Sequence, residues 1–473
     1  MTHDSRPSIY TPVTAHPDLG SGFYDVVTAA DFPGATLRFR NNRAAASVGL
    51  DALSDEAWIA HFARFQPLPD NLPQPLALRY HGQQFRSYNP DLGDGRGFLF
   101  AQMRDGQGRL LDLGTKGSGQ TPYSRRGDGR LTLKGGVREI LATEMLEALG
   151  VETSRTFSLI ETGEALERGD EPSPTRSAVM VRLNHSHIRF GTFQYLAYHD
   201  RQDDIVRLID HCIAHYFPAL SNLEGDDRLV GFFEAVVRRT ATLVSQWMAA
   251  GFVHGVLNTD NMNITGESFD YGPWRFLPSV QPGFTAAYFD HSGLYAYARQ
   301  PEAVGWNIAQ LGGTLTKLVP EERLNAALQL YPVVYEQAMA DSFSRRLGVA
   351  GLDSEFVGLL LRWMNETSIP FEQLFFDWFG GVASVARAAK SPVADLYTRD
   401  NWRALEESLL AAEPVRPERL QHDYFSNRRP CSMLIEEVED IWAPIAERDD
   451  WSAFEQKLVA IGQARAAYGL SAN

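Results

Sequence analysis

Cysteine is scarce in this sequence, and long apolar runs are missing from it. Only Cys212 and Cys431 occur among 473 residues, which excludes a disulfide framework or a zinc cluster built on cysteines. One bridge between the two stays open as a redox hypothesis, although two reduced and buried thiols are the favoured interpretation. No apolar stretch approaches the ~20 residues that span a membrane, and the opening residues lack a secretory signal profile. We therefore expect a cytoplasmic protein.

Positive charge is also in deficit. The chain carries 44 Lys and Arg against 59 Asp and Glu, a formal net charge of −15. Such a chain has no overall field that attracts nucleic acid or an anionic membrane, so we expect neither as a partner. Any affinity for phosphate must come from a local cluster of cations. The hydrophobic share of 44% predicts a globular protein with a large core.

The hydrophobic periodicity changes along the chain. Residues 1 to about 35 are rich in Pro, Gly, Asp and Ser and are predicted to be irregular, and a helix is predicted to begin at Ser54. Alternating or short apolar runs predict strands, and one amphipathic run with Gly150 behind it predicts a helix. The predicted strands lie at 76–80, 98–103, 109–113, 155–162 and 177–184, the helix at 135–150, and further helices near 202–217, 226–250, 303–318, 321–347, 354–366 and 397–412. The fold class is thus α+β, with a strand-rich half before a large helical half.

Several glycines and cations lie where a phosphate could approach the backbone. In LGDGRG, Gly93 and Gly95 leave room for close approach and Arg96 adds charge, although a hairpin turn is the alternative. Lys116 lies in a loop of small residues beyond a predicted strand, near Arg125, Arg126 and Arg130. An exposed loop with solvated charges is the alternative there.

Three further charged residues belong to the same hypothesis. Glu139 lies on the predicted helix and is expected to pair with Lys116, as a helix glutamate does in kinases; a surface charge is the alternative. Arg182 and Arg189 lie near the boundary between the halves and suit phosphate binding. Structural ion pairs across that boundary are equally compatible with their positions.

The segment GFVHGVLNTDNMNITGESFDYGP is the most specific motif. A kinase catalytic loop has the form H-x-D-x-x-x-x-N and is followed by D-F-G, in which the Asn and the second Asp hold magnesium. His254, Val256 and Asn261 fall at that spacing, and Asp270 begins the D-Y-G. Both metal positions are therefore kept, whereas the position of the kinase base is apolar. Asp260, next to Asn261, supplies a carboxylate nearby.

These motifs resemble the selenoprotein O family of pseudokinase-like protein adenylyltransferases. The resemblance is carried by KGSGQTPYSRRGDGR, VREIL, IRFGTF, GFVHGVLNTDNMNI and DYGP, within residues 80 to 310. It implies a protein-kinase-like two-lobe fold with ATP bound in an inverted orientation. The expected domains are an N-terminal extension (1–70), a strand-rich N-lobe (71–190) and a helical C-lobe (191–473).

The resemblance also implies roles for individual residues. Asp260 would be the catalytic base, Glu139 would pair with the lysine, and Asn261 and Asp270 would hold Mg²⁺, with Mn²⁺ as an alternative. This chain departs from animal members in ending GLSAN, without a selenocysteine. The residues implied to contact ATP are Gly93, Gly95, Arg96, Lys116, Asp128, Gly129, Arg182, Arg189 and Asp270.

The function implied is transfer of AMP from ATP to Ser, Thr or Tyr hydroxyls of proteins. Two alternatives are weighed against it. One is an ordinary phosphotransferase, and the other is a nucleotide-binding scaffold without catalysis. The fate of the α- and γ-phosphates of ATP distinguishes the three.

Overall fold

The computed structural model of the chain describes residues 9–169 and 171–470. Parts of three expectations fall outside these residues. They are the start of the irregular lead-in (1–8), residue 170 of the expected N-lobe, and the last residues of the expected C-lobe (471–473).

A large antiparallel sheet dominates the first half of the chain. Its main path runs β2-β4-β7-β8-β11-β10-β3, with β1 paired to β7 and β9 paired to β11. The pairs β5–β6, β12–β13 and β14–β15 form separate two-stranded sheets. Along the described chain the strands are β1 (Thr11–Val13), β2 (Tyr24–Val26), β3 (Thr36–Arg40), β4 (Leu76–Leu78), β5 (Gly82–Gln84), β6 (Ser87–Asn89), β7 (Leu99–Arg104), β8 (Leu110–Lys116), β9 (Leu131–Thr132), β10 (Arg155–Leu166), β11 (Thr175–Asn184), β12 (Phe252–Val253), β13 (Arg275–Phe276), β14 (Val349–Ala350) and β15 (Glu413–Pro414).

Helices make up most of the second half. The α-helices are α1 (Asn42–Ser47), α2 (Asp55–Phe62), α3 (Leu133–Ala148), α4 (Phe190–Tyr198), α5 (Gln202–Tyr216), α6 (Gly225–Ala249), α7 (Gln300–Gly313), α8 (Glu321–Leu328), α9 (Leu330–Leu347), α10 (Ser354–Thr367), α11 (Phe371–Trp378), α12 (Val385–Ala388), α13 (Arg403–Ala411), α14 (Ile435–Arg448) and α15 (Ser452–Tyr468). The α+β class predicted from periodicity is confirmed.

The pairing of β8 with β11 decides which side chains face the site. Met180 lies opposite Lys116 and Arg182 lies opposite Gly114. Because side chains alternate between the faces of a strand, Lys116 and Arg182 project on one face. Both strands are buried along almost their whole length, so the two cations are held on a rigid support.

Helix α3 packs against the sheet and carries one functional candidate. Thr132 caps its first turn by accepting a hydrogen bond from the backbone N–H of Gly135 at 3.1 Å. Val137, Ile140 and Leu141 are fully buried in the core. Their apolar stripe fixes the rotation of the helix about its axis, and this rotation brings Glu139 beneath the end of β8.

The lead-in differs from its prediction. Residues 9–35 contain β1 and β2, and each joins the sheet through an antiparallel partner. Three-residue strands are too short to show a period of two, so the sequence pattern could not reveal them. The predicted helix at 397–412 is also shorter, because its α-helical part is α13 alone.

Two expectations about the whole chain can be compared with the fold. No helix in residues 9–169 and 171–470 is long and apolar enough to cross a membrane. Cys212 is buried and Cys431 is half-buried, and both are free thiols. The structure thus has no bridge between Cys212 and Cys431, and of the two thiols that were expected to be buried only that of Cys212 is.

Candidate functional site

A cavity of about 700 Å³ lies where the sheet meets the segment that contains the catalytic-loop motif. Its volume is in the range that holds small-molecule ligands and cofactors. The cavity brings together every predicted site residue except Glu139, which lies behind it. Those that line it are Gly93, Gly95, Arg96, Lys116, Asp128, Gly129, Arg182, Arg189, Asp260, Asn261 and Asp270.

The cavity is cationic although the chain is acidic. Seven arginines and one lysine line it against four aspartates, a formal charge of +4. Of the cations, Lys116, Arg182 and Arg189 are almost fully buried, whereas Arg125 and Arg126 are exposed. The local cluster of cations that the composition required for phosphate binding is therefore present.

Lys116 is held between two carboxylates. Its Nζ lies 2.6 Å from Glu139 Oε2 and 2.8 Å from Asp270 Oδ1. The predicted contact between Lys116 and Glu139 is therefore present. Glu139 is fully buried, so it is not the surface charge that was its alternative. A buried charge needs a partner, and each of these three residues supplies one to its neighbour.

Two arginines complete this network. Arg182 Nη1 lies 3.3 Å from both Glu139 Oε1 and Asp270 Oδ1. Arg189 Nη1 lies 3.8 Å from Asp270 Oδ2. Both arginines thus make the ion pairs considered as an alternative, and both also line the cavity. The two interpretations are compatible, because a guanidinium has five N–H donors.

Asp270 is the most strongly stabilised carboxylate of the site. Burial alone would raise its pKa, but Lys116, Arg182 and Arg189 hold the pKa well below its ordinary value. Its backbone is left-handed, with φ of 60°, a conformation that is uncommon outside glycine and often marks functional positions. Asp270 is therefore a fixed anion among cations.

Asp260 has the opposite electrostatic character. Burial raises its pKa to about 6, although Arg189 lowers it in part. Its Oδ1 is buried and has no hydrogen-bond partner among the residues that the structure describes. The carboxyl group thus lines the cavity with one oxygen, Oδ1, buried and without a protein hydrogen bond among the described residues.

The oxygen atoms beside Asp260 suit a hard divalent cation. Asn261 donates a hydrogen bond from Nδ2 to the carbonyl oxygen of Val256 at 2.9 Å, which leaves its Oδ1 as an acceptor. No three His, Cys, Asp or Glu side chains within 9–169 and 171–470 gather into a metal site. An amide and a carboxylate nevertheless fit Mg²⁺, which takes few protein ligands and completes its shell with water and substrate phosphate.

The glycine-rich segments approach neighbouring groups too closely for side chains. A methyl group added at Gly93 would overlap the ring of Tyr123, and one added at Gly97 would overlap the carbonyl oxygen of Thr115. Gly129 has φ of 70° and lies against Gly119. Close packing of bare backbone explains these glycines better than a simple hairpin turn does.

Asp128 lies at the exposed rim of the cavity. It pairs with Arg168 at 2.8 Å and accepts a hydrogen bond from the backbone N–H of Arg130. Arg168 comes from the β10–β11 connection. No motif marks Arg168, because the connection is made of polar and charged residues without a recognisable pattern.

Two further cavity residues lacked a recognisable signal. Asp94 lies within LGDGRG, but its role appears only in three dimensions: its Oδ1 lies 3.5 Å from Arg189 Nη2. The guanidinium of Arg189 also stacks on the ring of Tyr80, 4.4 Å from its centroid. Tyr80 and Arg189 are too far apart in the sequence for a local motif to indicate this contact.

Three histidines near the site, His185, His187 and His254, are held by contacts within the protein. His254 is buried, and its Nε2 lies 3.0 Å from the carbonyl oxygen of Phe269. His187 is buried against Asp112, with the His187 backbone N–H donating at 2.9 Å. His185 packs its ring edge-on against Tyr216.

Comparison with known proteins agrees with the motifs. The family model described as "Protein adenylyltransferase SelO" matches residues 9–461. A protein of Synechocystis sp. named protein nucleotidyltransferase YdiU is 44% identical over 96% of this chain and 98% of its own length. Proteins of the same name from Trichormus variabilis and Myxococcus xanthus are 45% and 37% identical, over 92% and 93% of this chain and 92% and 90% of their own lengths.

Proposed function

The chain belongs to the SelO family of protein adenylyltransferases and is a nucleotidyltransferase, and we propose that it transfers AMP from ATP to Ser, Thr or Tyr hydroxyls of proteins. One observation carries the proposal. The cavity holds an unpartnered buried carboxyl group, that of Asp260, within a wall of cations, while the position of a kinase base is the apolar Val256.

The distribution of cations supports an inverted ATP. Lys116, Arg182 and Arg189 are buried, and each lies within 4 Å of a carboxylate oxygen of Asp270. This concentrated charge suits the terminal phosphates, which carry most of the charge of the nucleotide. If the β- and γ-phosphates bind to these buried cations, the α-phosphate faces the acceptor hydroxyl.

The transfer is a single displacement at the α-phosphorus. The acceptor hydroxyl oxygen forms a bond to the α-phosphorus, and the bond from that phosphorus to the bridging oxygen of pyrophosphate breaks. The hydroxyl proton goes to a carboxylate oxygen of Asp260, which lines the cavity and whose pKa of about 6 suits a general base near neutral pH. Pyrophosphate leaves with the bond electrons, and the buried cations stabilise its charge.

Asn261 and Asp270 are the residues that would hold the metal ion. Bound there, Mg²⁺ or Mn²⁺ would neutralise phosphate charge in the transition state. Asp270 is kept ionised by its cationic neighbours, as a metal ligand must be. Asn261 is oriented by its bond to Val256, so the residue that replaces the kinase base supports a metal ligand.

We extend the proposal to the architecture. The sheet with α3 corresponds to the N-lobe of a protein kinase, and the helices from α4 onward correspond to its C-lobe. The order of lysine, helix glutamate, catalytic loop and D-Y-G supports this correspondence. The expected domain boundaries near residues 70 and 190 are part of the same proposal.

Differently labelled ATP tests the function. The protein is incubated with candidate acceptor proteins and with ATP that carries a label at either the α- or the γ-phosphate. The protein itself can also serve as an acceptor. Protein labelled from the α position alone is the expected result. Protein labelled from the γ position alone would identify a phosphotransferase and overturn the proposal, and ATP binding without transfer of either label would identify a scaffold.

Mass spectrometry of the labelled protein defines the acceptor. AMP attached through a phosphodiester to a Ser, Thr or Tyr side chain is expected. Attachment to Lys or His instead would contradict the hydroxyl part of the proposal, because those side chains accept through nitrogen.

A further inference from the structure

Helix α3 carries Glu139, and the two ends of this helix bear charges of unfavourable sign. The N-terminus of a helix is the positive end of its dipole, and the C-terminus is the negative end. Lys134 lies in the first turn of α3, whereas Glu147 lies in the last turn and Glu144 lies just before it. Each of these charges destabilises the helix unless a partner of opposite charge lies beside it.

The first turn of α3 is weak for a second reason. Gly135 and Gly136 follow each other there, and glycine is among the least favourable residues in a helix. A methyl group added at Gly136 would overlap the side chain of Leu159 on β10, so the helix lies close against the sheet at this glycine. The turn that leads to Glu139 therefore depends on contacts with other elements for its stability.

Helix α14 supplies the partner for the first turn. Glu439 Oε2 lies 2.7 Å from Lys134 Nζ, and Glu439 Oε1 lies 3.9 Å from Arg138 Nη1. The guanidinium of Arg138 also lies over the ring of Trp274, 5.0 Å from its centroid. One carboxylate of α14 thus contacts two cations between the start of α3 and Glu139.

Helix α15 supplies a partner for the other end of α3. Arg465 donates from Nη2 to the carboxylate of Glu144 and, at 3.2 Å, to the main-chain carbonyl oxygen of the same residue. Its Nε lies 3.5 Å from Glu147 Oε2. Arg43 and Arg155 contact the same glutamates, but they precede and follow α3 closely in the chain. Arg465 is the cation that ties this end of α3 to the C-terminal helices.

These end contacts restrict a motion that apolar packing restricts poorly. The apolar stripe of α3 fixes its rotation, but apolar contacts are non-directional and resist sliding along the helix axis only weakly. Ion pairs with directed N–H donors at both ends fix the position along the axis. Glu139 lies between them, and its Oε2 is 2.6 Å from Lys116 Nζ. A shift of Glu139 by about 1 Å away from Lys116 would stretch this contact beyond hydrogen-bond distance.

We propose that α14 and α15 hold α3 in place from both ends, and that Arg465 is a positioning residue for the ion pair of Lys116 and Glu139. This inference rests on the proposed function, in which Lys116 binds the phosphates of ATP. Arg465 is not among the described residues that line the cavity, so its effect on the site passes through α3. Without Arg465, Lys116 loses its fixed partner and phosphate binding weakens.

Hydrogen exchange of the full chain tests the link between α15 and α3 without any nucleotide. In Arg465→Ala, we expect the backbone amides of residues 140–148 to exchange at least about fivefold faster than in the wild type, because the end of α3 opens more often. Arg403→Ala is the matched control, since Arg403 makes an exposed ion pair with Glu407 on α13 and should leave α3 unchanged. Wild-type exchange of α3 in Arg465→Ala would overturn the proposal.

A variant on α14 tests the other end with less risk to the fold. Glu439 is exposed on α14, and Glu447 is exposed on the same helix and contacts Arg448. Glu439→Lys should weaken the binding of a non-hydrolysable ATP analogue about threefold, whereas Glu447→Lys should bind it as the wild type does. Both variants should keep the wild-type circular dichroism spectrum. Equal affinities for the two variants would refute a role of α14 in holding α3.

A double-mutant cycle tests whether Arg465 acts through Glu139. The Kd for the ATP analogue with Mg²⁺ is measured by calorimetry for the wild type, Arg465→Ala, Glu139→Gln and the double variant. Arg465→Ala should weaken binding about tenfold in the wild type but less than about twofold in Glu139→Gln, because the contact that it supports is already lost.

The same factor in both backgrounds, or no effect in either, would show that Arg465 does not position Glu139. A purely structural role predicts the first of these results, since general destabilisation does not depend on the side chain at position 139. The cycle measures binding and needs no transfer of AMP. A failure of the proposed transfer is therefore distinguishable from a failure of this inference.

Discussion

Arg189 donates a hydrogen bond from Nη1 to the main-chain carbonyl oxygen of Asp260 at 2.7 Å. The arginine thus fixes the backbone of the proposed base without occupying its carboxylate. A buried cation beside the base would also favour its ionised form, which partly opposes the effect of burial. Arg189 therefore both lines the cavity as one of its buried cations and fixes the position of Asp260.

The first prediction concerns Asp260 itself. Asp260→Asn keeps the shape of the side chain but cannot accept the hydroxyl proton, so we expect kcat for AMP transfer to fall by about 10²- to 10⁴-fold. The Kd for ATP, measured by calorimetry, should change less than about threefold. A variant with wild-type kcat would remove Asp260 from the proton transfer.

The second prediction concerns the β5–β6 hairpin, which no motif had indicated. The backbone N–H of Gln83 donates to Thr259 Oγ1 at 2.7 Å, so the hairpin rests on the loop that carries Asp260. A Cβ atom added at Gly82 would lie 2.5 Å from Asp260 Oδ1. Gly82→Ala should therefore displace the base and lower kcat by about 10²-fold, as small misplacements of catalytic groups do.

Steady-state kinetics and ATP binding measured together test this prediction. The expected pattern is a lower kcat with an unchanged Kd for ATP, because Gly82 is not among the described residues that line the cavity. Gly313→Ala, at a helix end where an added methyl meets nothing within 4 Å, is the control. A wild-type kcat in Gly82→Ala would show that Asp260 can be displaced without a loss of AMP transfer.

The third prediction compares two glycines that look equally essential in the sequence. An added methyl at Gly97 would overlap the carbonyl oxygen of Thr115 on the neighbouring strand, whereas one at Gly272 meets nothing within 4 Å. Overpacking of this kind costs about 1 to 3 kcal/mol. Gly97→Ala should therefore weaken ATP binding by about 10- to 100-fold, whereas Gly272→Ala should bind ATP as the wild type does.

Calorimetric titration with a non-hydrolysable ATP analogue and Mg²⁺ provides the comparison. The order of the two affinities is the decisive result. If Gly272→Ala bound the analogue more weakly than Gly97→Ala, the overlap with the Thr115 carbonyl oxygen would not determine the cost of a side chain at Gly97.

The sequence predicted which residues meet at the cavity better than it predicted their surroundings. Lys116, Glu139, Asn261 and Asp270 lie in motifs whose internal spacing is set by one strand, helix or loop, so local pattern sufficed to find them. The long helices were found for the same reason, since a period of 3.6 residues over several turns is a strong signal.

Contacts between distant segments left no such signal. Tyr80 stacks on Arg189, and Arg168 reaches Asp128, yet the residues of each pair lie 109 and 40 positions apart. The short strands β1 and β2 are likewise specified by their partners in the sheet more than by their own residues. Tertiary packing decides such elements, and a single sequence does not report it.

The last prediction concerns the pH dependence of stability at Glu267. Its pKa is raised to about 8 in the folded chain, above an unfolded value of about 4.3. Between these values the folded state keeps a proton that the unfolded state has lost, so the free energy of unfolding falls as pH rises. The loss is up to about 1.4 kcal/mol per pH unit between pH 5 and pH 8. Glu267→Gln keeps a hydrogen-bond acceptor for the backbone N–H of His185 and cannot ionise.

Urea unfolding at pH 5.5, 7 and 8.5 measures this difference. We expect the stability of Glu267→Gln relative to wild type to increase steadily with pH, because only the wild type pays for ionising a buried carboxyl. Glu322→Gln, at an exposed position of α8, should show a constant difference from the wild type over the same range. Parallel pH profiles for wild type and Glu267→Gln would mean that Glu267 ionises as freely in the folded chain as in the unfolded one.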